Sequence, residues 1–243
     1  MTAGGVRRLR GPRRIAGILA AALVIAGCAP ASLQNLDAVK RELREYESSG
    51  RYAAELAAVA DKAREYLLET LRWTDASKQR LALVLDIDET ALSNYPALRA
   101  NDFGWVTAGP CTLDERGAPR SPCGLRAWVE LARAERIEPV YELYASARLR
   151  GMAVFFISGR PEALRGATER NLRSAGYTGW TELVLRQAEP AYPTLAAFKT
   201  AARERIEKAG WRIAINVGDQ VSDLAGGHAG RGFLLPNPFY ANP

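Results

Sequence analysis

Five short apolar runs along the chain predict the strands of a sheet. The first run, residues 81–85, has no alternation of apolar and polar positions and is followed at once by Asp86 and Asp88. A run of this kind is typical of a strand buried on both faces, as in a parallel sheet. The other strands are predicted over residues 152–157, 182–185, 211–217 and 231–235.

Segments with helical patterns lie between and ahead of these runs. Residues 162–175 and 194–209 are predicted helices that end at Gly176 and Gly210. Strands that alternate with helices indicate an α/β fold with a doubly wound, largely parallel, five-stranded Rossmann-like sheet. Residues 36–73 have the spacing of one or two amphipathic helices with a break at 48–50, which predicts an N-terminal helical extension.

The stretch between the first two strands is too long for a loop in a compact domain. Residues of about 92–150 are predicted to form a small inserted lid over the carboxyl end of the first strand, with a helix at 125–134. Within the lid, Cys111 and Cys123 flank a turn-rich segment. A disulfide between them would stabilise the protein by ~2–4 kcal/mol. The alternative is that the two cysteines are unlinked thiols. A metal site is not expected, because no further Cys or His lies nearby.

The N-terminus predicts export. An arginine-rich stretch leads into the apolar residues 15–26, which are too few for a membrane-spanning helix of ~20 residues and suit a secretory signal. Gly27 and Cys28 complete a run that resembles a bacterial lipobox. We therefore predict a lipoprotein-type signal peptide over 1–27 and a protein lipid-anchored through Cys28 at the bacterial cell envelope. A plain signal peptide, or an uncleaved anchor with Cys28 incidental, is the alternative.

Removal of the signal changes the charge and the domain organisation of the mature chain. The formal net charge of the whole chain is +6 at pH 7, and five arginines precede Ile15. Loss of residues 1–27 leaves about +1, so a nucleic-acid polymer is not an expected partner. The mature chain is predicted to hold a tether and N-terminal helices in 28–80 and the core with its lid in 81–243.

Polar residues follow the predicted strands at their carboxyl ends. They are Asp86, Asp88, Ser158, Asp219 and Asp223, joined by Lys199 near the start of the helix before the fourth strand. Because the carboxyl ends of parallel strands share one edge of the sheet, these side chains can converge there. Acidic residues can hold Mg²⁺, serine and lysine can bind phosphoryl oxygens, and a carboxylate can attack phosphorus. The alternative for the first pair is an Asp-rich turn that caps the next helix.

These segments resemble a known family. DIDET at 86–90, SGR at 158–160, Lys199 and GDQVSD at 218–223 resemble motifs one to four of the haloacid dehalogenase superfamily of phosphohydrolases. DIDETALSN, NVGDQVSDLAGG and LPNPFY further resemble subfamily IIIB acid phosphatases. That group includes bacterial acid-phosphatase lipoproteins, plant acid phosphatases and vegetative storage proteins. Some storage relatives lack the nucleophile, whereas Asp86 is present here.

The resemblance implies a role for each residue near the phosphoryl group. Asp86 would be the nucleophile and a metal ligand. Asp88 would carry the proton to the leaving group and from the attacking water. Ser158 would donate a hydrogen bond to a phosphoryl oxygen, and Lys199 would neutralise charge on Asp86 and the phosphoryl group. The alternatives are a helix cap for Asp88 or Ser158 and a solvated helix residue for Lys199.

The resemblance also implies Mg²⁺ as the cofactor. Its protein ligands would be the carboxylates of Asp86 and Asp219 and the backbone carbonyl of Asp88. Asp223 would bind the ion through water or orient Lys199.

Other conspicuous residues are assigned more modest roles. Phe103, Trp105 and Tyr240 can stack on an aromatic or nucleobase leaving group, with lid and C-terminal packing as the alternative. Arg160 is expected to be a structural partner. His228 is the only histidine, which excludes mechanisms that need two, and it is expected in a turn or loop.

The sequence as a whole predicts a magnesium-dependent acid phosphatase. It would hydrolyse small phosphomonoesters, such as nucleotides and aryl or sugar phosphates, through an aspartyl-phosphate. The alternatives are a ligand-binding or storage-type lipoprotein without turnover and a phosphotransferase on the same scaffold.

Overall fold

The computed structural model describes residues 1–2, 4, 33–189 and 191–242. It divides into two units, Met1–Gln34 and Asn35–Pro243, and the fold described here belongs to the second. The predicted signal peptide from residue 5 onward and Cys28 lie outside the described residues. Among the residues that were described, none of the helices combines the length and apolar character that crossing a membrane requires.

The secondary structure follows the predicted alternation closely. In the described part of the chain, the strands are β1 (Leu81–Leu85), β2 (Leu92–Ser93), β3 (Thr112–Leu113), β4 (Pro119–Arg120), β5 (Glu135–Arg136), β6 (Ala153–Pro161), β7 (Glu182–Arg186), β8 (Arg212–Gly218) and β9 (Arg231–Leu234). The helices there are α1 (Leu36–Ser48), α2 (Arg51–Leu71), α3 (Tyr95–Ala100), α4 (Leu125–Leu131), α5 (Glu138–Leu149), α6 (Arg165–Ser174), α7 (Leu195–Lys208) and α8 (Val221–Leu224). A 3₁₀ turn, Glu162–Leu164, precedes α6.

The main sheet has five parallel strands in the order β7-β6-β1-β8-β9. This confirms the predicted α/β class and the parallel sheet. All five residues of β1 are buried, because the strand lies in the centre of the sheet with helices on both faces. The chain leaves β1 to one side for β6 and later returns to its other side for β8, so the carboxyl end of β1 lies where ligands bind in such sheets.

Alternate residues of β1 reach opposite faces of the sheet. Leu81, Leu83 and Leu85 pack in a core shared with α2 and α5, whereas Ala82 and Val84 pack with α7. This two-sided burial explains why the run reads as continuously apolar instead of alternating.

The lid is shorter than the predicted 92–150. Residues 138–149 form α5, which packs against α2 and β6 and buries Val140, Leu143 and Ala147. α5 is therefore part of the helix layer, since a parallel connection from β1 to β6 requires a crossover helix. The inserted segment runs from β2 to β5, which pair as an antiparallel ribbon at its base.

Cys111 and Cys123 form the predicted disulfide within this lid, and the alternative of two unlinked thiols does not apply. The bond closes the segment that carries the β3–β4 ribbon. Asn101 holds the same segment, because its amide donates to the Cys123 carbonyl at 2.7 Å and accepts from the Cys123 N–H at 2.9 Å.

The N-terminal extension consists of two helices. α1 ends at Ser48 and α2 begins at Arg51, with Gly50 between them at a φ of 81°. The predicted break at 48–50 is confirmed, and glycine suits it because other residues adopt this left-handed conformation at a cost.

Candidate active site

The structure brings the predicted polar residues together at the carboxyl edge of the sheet. Asp86 follows β1, Ser158 lies in the second half of β6, and Asp219 follows β8. Lys199 projects from the second turn of α7, and Asp223 lies in α8. All five side chains are buried.

Lys199 lies between two carboxylates. Its ammonium donates to Asp86 Oδ1 at 2.5 Å and also to Asp223 Oδ1. Burial alone would lower the pKa of Lys199, but the attraction of Asp86 and Asp223 outweighs it and raises that pKa above its ordinary value. Burial raises the pKa of Asp86 well above its usual range, although Lys199 opposes the shift. The solvated role considered for Lys199 does not apply.

Three carboxylates form a group that suits a divalent cation. Oxygens of Asp86, Asp219 and Asp223 all lie within 4.8 Å of one another. Burial, and then the charge of Asp223, raise the pKa of Asp219 to about 6. A single lysine cannot neutralise three buried carboxylates, and their hard oxygen donors fit Mg²⁺.

The carboxylate of Asp88 turns away from this group toward Arg160. The guanidinium donates to Asp88 Oδ1 through Nη2 at 2.7 Å and to Oδ2 through Nε at 3.0 Å. Burial raises the pKa of Asp88, but the Arg160 charge and hydrogen bonds outweigh it, so that the pKa lies below its ordinary value. Arg160 is therefore a direct partner of Asp88, a contact that the sequence did not reveal.

Ser158 lies beside the same carboxylate. Its hydroxyl is 3.4 Å from Asp88 Oδ2 and accepts the Arg160 backbone N–H at 3.2 Å. The helix-cap alternative does not apply, because the following 3₁₀ turn begins only at Glu162 and has Pro161 at its N-cap.

Two further residues of the first motif, Glu89 and Asn94, are buried in the site, although the sequence predicts no role for them. Glu89 accepts hydrogen bonds from the Asn94 backbone N–H and from the Tyr240 hydroxyl, each at 2.5 Å. Burial, and then the Asp88 charge, raise the pKa of Glu89 to about 8. Asn94 donates to Asp88 Oδ1 at 2.8 Å. In the sequence, Glu89 and Asn94 have no signal beyond their place in the motif at 86–94.

A cavity of about 360 Å³ opens over these groups. Asp86, Asp88 and Lys199 line it together with further charged residues such as Arg126 and Arg186, and apolar side chains form much of the remaining wall. The apolar members are Leu125, Val129, Leu164 and Leu195. The cavity thus offers both charged groups and an apolar surface to a small ligand.

Two of the three predicted aromatic residues line this cavity. The rings of Trp105 and Tyr240 lie 4.5 Å apart between centroids, at 41° to each other. Phe103 instead stacks on Phe239, with centroids 6.0 Å apart and planes 7° apart. The packing alternative therefore applies to Phe103, which packs against Phe239 and does not line the cavity.

His228 lies away from this cavity. Its Nδ1 is 2.6 Å from Glu207 Oε2, and its φ of 59° places it in the left-handed region between α8 and β9. This matches its expected place in a turn or loop.

Buried aspartates with one lysine, at the switch point of a doubly wound sheet, define an α/β enzyme with an aspartate-rich centre. The chain belongs to the HAD superfamily, subfamily IIIB (acid phosphatase), whose family model matches residues 28–243. The family resemblance of the motifs is thereby confirmed.

Individual relatives agree with this assignment. The chain is 36% identical over 160 residues to the stem 28 kDa glycoprotein of Glycine max, a match that covers 65% of this chain and 58% of that protein. It is 32% identical over 199 residues to acid phosphatase 1 of Solanum lycopersicum, covering 82% of this chain and 72% of that one. The chain thus spans less than two thirds of the first of these relatives.

A solved structure shares the fold. The class C acid phosphatase from Bacillus anthracis superposes with a TM-score of 0.63 at 19% identity, covering 84% of this chain and 86% of that one.

Proposed function

We propose that this protein is an acid phosphatase that hydrolyses small phosphomonoesters through an aspartyl-phosphate on Asp86. The observation that carries the proposal is the buried Asp86, which Lys199 contacts and which lines a cavity open to solvent. Membership of the acid phosphatase subfamily supports the same reaction class.

The residues divide the reaction between them. An Asp86 oxygen attacks phosphorus and the bond to the leaving oxygen breaks, while a proton on Asp88 passes to that oxygen. In the second half, Asp88 takes a proton from the attacking water as the acyl phosphate bond breaks, which restores both aspartates. Lys199 balances the charge of Asp86 and the phosphoryl oxygens, and the Ser158 hydroxyl is available to donate to one of them.

The three carboxylates support a bound Mg²⁺. Asp86, Asp219 and Asp223, with the Asp88 backbone carbonyl, would hold it. When bound, the ion supplies positive charge next to the phosphoryl oxygens, where charge accumulates in the transition state. Asp223 also contacts Lys199, which favours the orienting role considered for it.

The cavity supports a small, partly apolar leaving group. Its apolar wall and the Trp105–Tyr240 pair suit the aromatic or sugar portion of nucleotides, aryl phosphates or sugar phosphates. The cavity volume of about 360 Å³ suits a small monoester, and the near-neutral charge predicted for the mature chain does not favour a nucleic-acid polymer.

We also infer that the protein is exported. The N-terminal signal, the Cys111–Cys123 disulfide and a plant relative named as a glycoprotein support this inference. An anchor through Cys28 rests on the lipobox-like sequence alone, because the relatives are plant proteins and give no support to a bacterial lipoprotein.

A storage-type protein without turnover is the second candidate. One observation favours it, namely that a relative at 36% identity is named as a stem glycoprotein and not as an enzyme. The complete set of Asp86, Asp88, Lys199 and Asp219 favours the enzyme.

Phosphate release from aryl, sugar and nucleoside monophosphates tests the proposal. We expect wild-type turnover that falls by at least ~10³-fold in Asp86→Asn, because the nucleophile is lost. EDTA should stop turnover and Mg²⁺ should restore it. Circular dichroism of Asp86→Asn controls for folding. Full activity in the variant would overturn the mechanism, and a wild type inactive on every ester would favour the storage role. A phosphorylated acceptor alcohol would instead reveal a phosphotransferase.

A further inference from the structure

The side chain of Asn94 is held in one orientation by the lid. Trp128 of α4 is buried, and its indole N–H lies 3.0 Å from Asn94 Oδ1. An indole nitrogen can only donate, so the amide oxygen of Asn94 must face Trp128 and the amide nitrogen must face the other way. The nitrogen then donates to Asp88 Oδ1 at 2.8 Å and to Glu89 Oε2 at 3.1 Å.

The two oxygens of Asp88 consequently differ. Oδ1 accepts two short hydrogen bonds, from Asn94 Nδ2 at 2.8 Å and from Arg160 Nη2 at 2.7 Å. These occupy both of its lone pairs. Oδ2 is approached by Arg160 Nε, which it shares with Oδ1, and by the Ser158 hydroxyl at 3.4 Å. A proton on Asp88 is therefore accommodated on Oδ2.

We propose that Asn94 is a positioning residue that reserves Asp88 Oδ1 through its amide and leaves Oδ2 to deliver the proton to the leaving group. The inference rests on the proposed function. Trp128 acts one step further away, because it sets the orientation of the amide.

The proton balance of the first half-reaction defines the consequence. As the bond from Asp86 to phosphorus forms and the ester P–O bond breaks, the Oδ2 proton moves to the leaving oxygen and Asp88 becomes a carboxylate. An alkoxide leaving group needs that proton, whereas a strongly acidic phenol leaves without it. Loss of Asn94 should therefore slow the two kinds of ester unequally.

The experiment compares kcat/KM for an alkyl phosphate and for 2,4-dinitrophenyl phosphate, in wild type and in Asn94→Ala. The value of kcat/KM depends only on the steps up to departure of the leaving group. The later role of Asp88 as a base in the hydrolysis of the aspartyl-phosphate therefore does not affect it. We expect Asn94→Ala to lose about 10- to 100-fold with the alkyl ester, within the usual contribution of general acid catalysis, and less than about 3-fold with the dinitrophenyl ester. Trp128→Phe keeps the ring and removes the N–H, and it should show the same inequality to a smaller extent.

Asn101→Ala is the matched control. Asn101 also binds the lid through its side-chain amide, but its partner is the Cys123 backbone and not Asp88. It should affect both esters alike. Equal losses with both esters in Asn94→Ala, or no loss with either, would overturn the positioning role. If Asn94→Ala does not fold, the Trp128→Phe comparison decides in the same way. A wild type that hydrolyses neither ester would instead contradict the proposed function.

Discussion

Lys199 forms ion pairs with two buried carboxylates in the site. It is about 5% exposed and lies between Asp86 and Asp223, which are also buried. The ammonium compensates two carboxylates that water cannot solvate. A buried ion pair contributes little compared with an apolar replacement of the whole group, but removal of one partner leaves charge without compensation. The fold therefore depends on Lys199 as strongly as the chemistry does.

Lys199→Met should lower the free energy of unfolding by ~3–5 kcal/mol near pH 7 in EDTA, because Asp86 and Asp223 lose their shared cation. The loss should shrink at acidic pH, because burial raises the pKa of Asp86 and this carboxylate is then protonated. Urea unfolding followed by circular dichroism measures both. Lys208→Met on the same helix is the control, since Lys208 is exposed and forms an exposed ion pair with Glu204. If both substitutions lowered the free energy of unfolding by the same small amount, Lys199 would not be compensating the two buried carboxylates.

The aspartates, Ser158 and Lys199 could be located from the sequence because each follows or precedes a strand whose carboxyl end reaches one edge. The contacts among them could not. Asn94 meets Trp128 across 34 residues, and it reaches Asp88 only because Glu89 adopts a left-handed φ of 51° that turns the chain back. Neither feature has a local pattern, and the Asp88–Arg160 pair joins residues 72 positions apart.

Helices and strands were predictable wherever burial was periodic or continuous. The boundary of the lid was not, because α5 is separated from the lid by its packing against α2 and β6, which no local pattern reveals. The short β3 and β4 strands lie in the turn-rich loop that is closed by the Cys111–Cys123 bond. With so little apolar burial of its own, this part of the lid depends on the disulfide and on Asn101.

Replacement of both cysteines by serine should lower the free energy of unfolding by ~2–4 kcal/mol, because the open loop gains conformational freedom in the unfolded chain. Denaturant unfolding with and without a thiol reductant measures it. The reductant should destabilise the wild type by a similar amount and leave the double variant unchanged. A wild type unaffected by complete reduction would show that the loop is held by other contacts.

The folded molecule assembles one charged centre from distant parts of the chain. β1, β6 and β8 supply carboxylates and the serine, α7 supplies the lysine, and the C-terminal segment supplies Asn237, which donates to Asp219 at 2.7 Å. Thr90 also donates to Asp219, at 3.1 Å. Without a cation, the folded protein buries an excess of negatively charged carboxylates at this centre. In the unfolded chain the same carboxylates are solvated by water. We therefore expect the stability of the whole protein to depend on pH and, if the proposed cation binds, on divalent cations as well.

The sign of that linkage follows from Asp219. Its pKa of about 6 in the folded protein is above its ordinary value of 3.8, so the folded state binds a proton that the unfolded state has released between these values. The stability of the cation-free protein should then fall as pH rises through this interval. The proposed Mg²⁺ would bind the ionised carboxylates, so it should raise Tm more near pH 7 than near pH 4.5. Thermal unfolding in EDTA and in MgCl₂ at both pH values measures the difference. Asp219→Asn should remove the part of the pH dependence that arises between pH 3.8 and about 6, and it should lose most of the Mg²⁺ effect. If Mg²⁺ raised Tm equally at both pH values, or raised the Tm of Asp219→Asn as much as that of the wild type, Asp219 would not be a ligand of the cation.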